Sequence, residues 1–197
     1  MKKVFATAFA SLSVLAGLIH AVETPYLPYR DGHANSSNYS GIGRTLTVRA
    51  GDSKAWVVHA LGDGIGDGLI KARLSVYVKD VTRDGSLRVY LASPIKSQEN
   101  VTRLETLKNG DSLGTAAVKA VDNVQGMISI GLEGSFIKSV KAGTFSGLIL
   151  EGADGLDAEI GAIEGSHGAV LYLEYATGGA KLDSIVLDSI AARVVGP

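Results

Sequence analysis

The side chains through which this chain could do chemistry are present in number but fall into no catalytic spacing. Past residue 21 the histidines are His33, His59 and His167. They are widely separated and form no H-x-H or H-E-x-x-H pattern, so a zinc centre is not expected. His59 holds an alternating position in the apolar run Trp56–Leu61 and reads as a partly buried structural histidine, while His33 and His167 fall in loops. Glycoside hydrolysis needs two positioned carboxylates. Glu99, Glu151, Asp157 and Glu159 supply carboxylates, but no motif pairs them. No G-x-S-x-G nucleophile elbow occurs, and Gly165-Ser166-His167 reads as a loop. The chain is therefore expected not to be an enzyme.

Two features could hold a ligand without turning it over. Asp63 and Asp67 lie in the glycine-rich run Gly62–Gly68, and Asp154-Gly155-Leu156-Asp157 repeats the theme. Calcium takes six to eight oxygens from such loops, which makes Asp63 and Asp67 the candidate metal ligands. The spacing is not that of an EF-hand, however, and Asp-Gly is ordinary turn chemistry, so the turn reading is preferred and no cofactor is required. Sugar-binding sites combine an apolar or aromatic surface with a few placed polar groups. Tyr26, Tyr29 and Tyr39 stand in a polar stretch and are candidates for such a surface. Trp56, the one tryptophan, is a fourth, although its apolar strand suits a core residue better.

The elements that must position these residues begin after a leader. Met1-Lys2-Lys3 is basic, Val4–Ile19 is apolar or small, and Ala21 precedes polar residues, which is the layout of a secretory signal peptide over residues 1–21. The apolar run is interrupted by Thr7, Ser11 and Ser13 and falls short of the roughly 20 residues of a membrane span. No span is expected once the leader is cleaved. The chain has no cysteine, which excludes disulfides, thiolate metal sites and lipidation by the bacterial lipoprotein route. With 19 basic and 20 acidic residues the formal charge is −1, and losing Lys2 and Lys3 moves it to −3. Nothing in that balance attracts nucleic acid or an anionic membrane.

Residues 22–44 are rich in Pro, Tyr, Asn, Ser and Gly and predict an extended, loop-rich lead-in. From Thr45 to about residue 176, short β-branched and aliphatic runs are broken by Gly and Asp at intervals of roughly eight to twelve residues, as in an all-β sandwich. The runs are Thr45–Arg49, Ala55–Leu61, Leu69–Val81, Ser86–Ala92, Ala116–Val121, Met127–Leu132, Ser146–Glu151, Asp157–Ile163 and Ala169–Tyr175. Leu74, Val76 and Val78 alternate with Arg73, Ser75, Tyr77 and Lys79, so one face is buried and the other wet. With Arg83-Asp84-Gly85 as the turn, Leu69–Val81 and Ser86–Ala92 are expected to form an antiparallel hairpin. The single internal helix is predicted over Gly134–Gly143, where Phe136, Ile137 and Val140 share a face.

The order of these pieces resembles the DNRLRE, or disaggregatase-related, β-sandwich domains. Ser37-Asn38-Tyr39-Ser40-Gly41 followed by Leu46 and Val48 is similar to their opening. Trp56–Leu61, Ala72–Val78, Leu87–Leu91, Glu99-Asn100-Val101-Thr102, Met127–Leu132 with the helix, Phe145–Leu150 and Ile163-Glu164-Gly165 before Ala169–Tyr175 follow in family order. Arg103 stands where the family has Trp, and the family's proline before the last strand is missing. The resemblance implies an antiparallel two-sheet, jelly-roll-like sandwich that is secreted or surface-attached, and, through some relatives, an extracellular glycan as partner. The alternative is a structural or adhesive surface protein that self-associates without a small ligand. The tail, residues 177–197, holds Leu182, Ile185, Val186, Leu187, Ile190, Val194 and Val195. It is expected either to add an edge strand or to join subunits into a homo-oligomer.

Overall fold

The computed structural model describes residues 21–36, 39, 40, 43–62, 64–92, 107, 109–120 and 126–176. The leader, Asp63, the Glu99-Asn100-Val101-Thr102 element and the apolar tail lie outside the described residues. The strands are β1 (Val22–Tyr26), β2 (Arg30–Asn35), β3 (Tyr39–Ser40), β4 (Thr45–Arg49), β5 (Ser53–Val58), β6 (Leu69–Arg83), β7 (Gly85–Ala92), β8 (Asn109–Val118), β9 (Gly126–Leu132), β10 (Leu148–Ala153), β11 (Asp157–Gly161) and β12 (Val170–Tyr175). One helix, α1 (Gly134–Lys141), follows β9, and a 3-10 turn covers Ile163–Gly165. The described residues thus form an all-β antiparallel fold with one α-helix, as the runs predict.

The sheet is continuous, in the order β1-β12-β6-β11-β4-β5-β10-β7-β8, with β9 added to β6, β2 to β5 and β3 to β2. It curls into two facing layers. The bend lies between β4 and β5, which share one paired position, Arg49↔Ser53, across a turn where Gly51 takes φ 74°. Ala72, Leu74, Val76, Leu171 and Leu173 from one layer and Ala55, Val57, Leu87, Val89, Leu148 and Leu150 from the other share one core. On the side away from the bend, β8 and β9 approach closely. The Glu133 N–H donates to Leu113 O over 2.8 Å, and a Cβ on Gly114 would strike the carbonyl of Gly131. Phe136 and Val140 of α1 are buried in the same core, the helical face that the 3.6-residue period predicts.

Several expectations are corrected. β6 and β7 do not form a hairpin: β6 pairs with β9, β11 and β12, whereas β7 pairs with β8 and β10. Alternation fixes which side chains point inward and leaves the partner strand open. At Gly85 the chain crosses between layers so closely that a Cβ would collide with the backbone of Ala153 and Leu156. The glycine therefore serves close approach and not a hairpin turn. The lead-in is not loop-like, because β1 extends one layer and β2 the other. β8 starts at Asn109 instead of Ala116 and ends at Val118. Only Leu113 and Val118 of β8 are buried, so its polar first half gives no strand signal.

A second cluster sits on the outer face of β5 and β10. Ala34, Trp56, Val58, Leu107 and Ile149 are buried together, with Tyr90 and Ala92 against them. Trp56 lies flat on Gly32, whose missing Cβ leaves the room: a Cβ there would sit 2.7 Å from the indole.

Candidate functional site

Beside that second cluster, the β4–β5 turn, β5, β10 and Leu107 enclose a cleft of about 340 Å³ lined by Arg49, Gly51, Asp52, Ser53, Lys54, Leu107 and Glu151. Each polar group is held by another. Lys54 and Glu151 are register partners across β5 and β10, so their side chains leave the same face side by side. Lys54 Nζ lies 3.1 Å from Glu151 Oε1 and donates to Asn109 Oδ1 over 3.0 Å. Asn109 Nδ2 donates to the other oxygen, Glu151 Oε2, over 2.6 Å. Ammonium, amide and carboxylate thus close a ring between three strands. On the turn, Arg49 Nε lies 3.1 Å from Asp157 Oδ2 and its NH1 lies 3.3 Å from Asp52 Oδ2. Ser36 Oγ donates to Asp52 Oδ1 over 2.6 Å. The hydrogen bond and charge of Asp157, then Asp52, hold the Arg49 guanidinium above its usual range.

Such an array presents donors and acceptors in alternation, with Leu107 as an apolar wall. A hydroxyl both donates and accepts, so polyhydroxylated ligands match this surface. The register Glu151↔Lys54 is invisible in sequence, so no local pattern marks Lys54 or Asn109, and Glu151 is one carboxylate among several.

The aromatic candidates do not assemble. Trp56 is 0 % exposed and offers no face to a sugar, because its outer side is covered by the second cluster. Tyr26 is half-buried with its hydroxyl 3.4 Å from that of Tyr175. Burial, then the Tyr26 bond, raises the Tyr175 phenol above the usual range. Tyr29 is 55 % exposed, with the Arg30 guanidinium 5.7 Å from its ring centre. Tyr39 pairs with Ala34 through the β3 backbone. Neither Tyr26 nor Tyr29 lines the cleft. Asp67 is exposed, and its N–H donates to Gly64 O, the turn chemistry preferred above. Among the described residues no group of three or more His, Asp or Glu side chains could hold a metal ion.

The outer face of the other layer carries rings that sequence reading left aside. Tyr77 stacks on His167 at 4.3 Å between centroids. Arg73 lies 3.8 Å over the Tyr172 ring and is gripped by both oxygens of Glu23, at 2.7 and 2.8 Å. These rings have partners already.

Two buried groups are structural. His33 is a β2 residue and not a loop one; burial lowers its pKa, partly offset by Glu159. Asp31, 3 % exposed, accepts the Ile163 N–H at 2.8 Å and so ties β2 to the 3-10 turn. Burial raises its pKa to about 6; the Ile163 bond opposes this and Glu164 adds to it. The native state therefore holds this proton where the unfolded chain has lost it, and the contribution of Asp31 to stability falls as pH rises from about 4 to about 6. Asp31→Asn keeps an acceptor for Ile163. We expect it to raise stability at pH 8 by roughly 1–2 kcal/mol, a few degrees in Tm, and to leave it unchanged at pH 3.5. Equal melting shifts at both values would show that ionisation of Asp31 carries no penalty.

Among the described residues no helix is long and apolar enough to cross a membrane. Compared with family models and with curated proteins, the chain matches none.

Proposed function

We propose that this chain is a secreted or surface-held, non-catalytic β-sandwich module of the DNRLRE kind that binds an extracellular carbohydrate in the Lys54–Asn109–Glu151 cleft. The observation that carries the reading is the closed ring of those three side chains at the edge of a concave surface. Polar groups fixed before the ligand arrives lose little conformational freedom on binding. Leu107, 4 % exposed, closes the apolar side of the cleft. The signal-peptide layout agrees with an exported protein.

A glycan array and titration calorimetry test this. A saturable signal is expected, weakened about tenfold or more by Asn109→Ala or Lys54→Ala, since each removes hydrogen bonds to or from a charged group. Asn109 is exposed, so its replacement should move melting little, whereas Lys54, whose side chain is 17 % exposed against Glu151, is read beside a melting curve that verifies folding. Release of reducing ends would make the chain an enzyme. A blank array together with concentration-dependent sedimentation would favour the self-associating structural role.

A further inference from the structure

We infer that the cleft selects uncharged, diol-bearing glycans and rejects both uronates and amino sugars, an inference that rests on the carbohydrate reading above. Among the described residues, every charge lining the cleft is already compensated. Lys54 is matched by Glu151 at 3.1 Å. Arg49 is matched by Asp52 at 3.3 Å and by Asp157 at 3.1 Å. Asn109 occupies both its amide nitrogen and its oxygen within the same ring.

An incoming carboxylate would find each cation engaged and would meet Glu151 or Asp52 at close range. It could reach only the remaining N–H groups of Lys54 and Arg49, and there Glu151 and Asp52, 3.1 and 3.3 Å from those cations, repel it as like charges. An amino sugar meets the mirror problem at Lys54 and Arg49. A neutral vicinal diol meets no such repulsion. Its oxygens accept from Lys54 or Arg49 through their remaining N–H groups, and its hydrogens go to unused lone pairs of Glu151, Asp52 and Asn109. Charge-assisted bonds of this sort to a neutral ligand leave the ion pairs intact. Binding should therefore depend little on ionic strength, whereas recognition of a charged polymer would weaken steeply with salt.

The balance is also tunable by one atom. Glu151→Gln keeps the shape and the acceptor for Asn109, yet it leaves Lys54 uncompensated and so opens the cleft to anions. Lys54→Met does the reverse and opens it to cations.

The test measures binding of the intact protein and of both variants to galactomannan and xylan as neutral chains, polygalacturonate as the acidic chain and chitosan as the cationic one. Measurements are made at low and at high sodium chloride, with melting curves to verify folding. The wild type is expected to hold a neutral chain within about twofold across the salt range and to bind polygalacturonate and chitosan at least about tenfold more weakly. Glu151→Gln should gain affinity for polygalacturonate, and Lys54→Met for chitosan, by about fivefold or more at low salt only. Tight, salt-sensitive binding of a charged polymer by the wild type would overturn the selectivity and leave the carbohydrate reading in place. Unchanged selectivity in both folded variants would overturn it too, by placing the ligand elsewhere. No binding in any arm would overturn the carbohydrate reading, and the selectivity with it.

Discussion

Trp56→Ala should cost about 3–5 kcal/mol, the largest loss expected from any single truncation at the surface of this sandwich. The indole is fully buried between Ala34, Val58, Leu107 and Ile149. It rests on Gly32, which has no Cβ to move into the space. On one side the hole left by the ring is walled by the β2 backbone at Gly32, which has no side chain to fill it. Urea unfolding followed by circular dichroism measures the loss, because the substitution removes the only tryptophan. The native wild type should also emit at short wavelength, as a dry indole does. A loss below about 1 kcal/mol would mean that the ring is not part of a core, since surface substitutions stay within that range.

The second large effect appears in acid and is partly offset in the wild type. His59 is 3 % exposed, with Nε2 2.9 Å from Ala169 O and Nδ1 without a partner. A neutral ring donating from Nε2 satisfies that contact. A second proton would sit on Nδ1, buried and with no acceptor. Burial accordingly pushes its pKa down to about 4, with the Ala169 bond opposing in part. The folded value lies below the unfolded one, so the stability from the neutral ring is complete above about pH 6.5 and is lost as pH falls toward 4. The loss is about 2–3 kcal/mol between pH 7.5 and 4.5. Asp31 runs in the opposite direction over nearly the same window and offsets part of this loss in the wild type, while His33, also lowered by burial, adds to it. In Asp31→Asn the acid loss should emerge at its full size, while His59→Gln, which keeps a donor for Ala169, should gain stability on acidification. Parallel profiles for the two variants would refute the assignment.

Much of this was legible in the residues and some was not, for physical reasons. Leu74, Val76 and Val78 show their inward face because a strand buried on one side repeats every two residues. Phe136 and Val140 mark α1 in the same way at the helical period. The sequence-level signs fail where burial does not alternate. β2 reads Arg-Asp-Gly-His-Ala-Asn and looks like a loop, yet Asp31, Gly32, His33 and Ala34 are all buried. Asp31 reaches a backbone N–H and Gly32 admits an indole, so polarity there signals packing. The cleft was less visible still. It depends on Glu151 standing opposite Lys54 and on Asn109 arriving from β8, and strand register is a property of pairing that no local run of residues encodes.

The register of the first and last strands has a mechanical consequence. Val22 pairs with Tyr175, and Tyr26 with Leu171, so the described body begins and ends side by side at one corner. The Ala176 N–H, bonded to Gly68 O, is the last tie there. A pull applied between these two points would not shear the β1–β12 ladder along its length. It would load one pair at a time, beginning with Val22 and Tyr175, and open the strands like a zipper. The Arg73–Glu23 grip, one residue further in, is the first cross-link such a pull would meet. The corner can yield by peeling β1 while β12 remains seated on β6, so under tension this module would lengthen by a short strand before its core is disturbed.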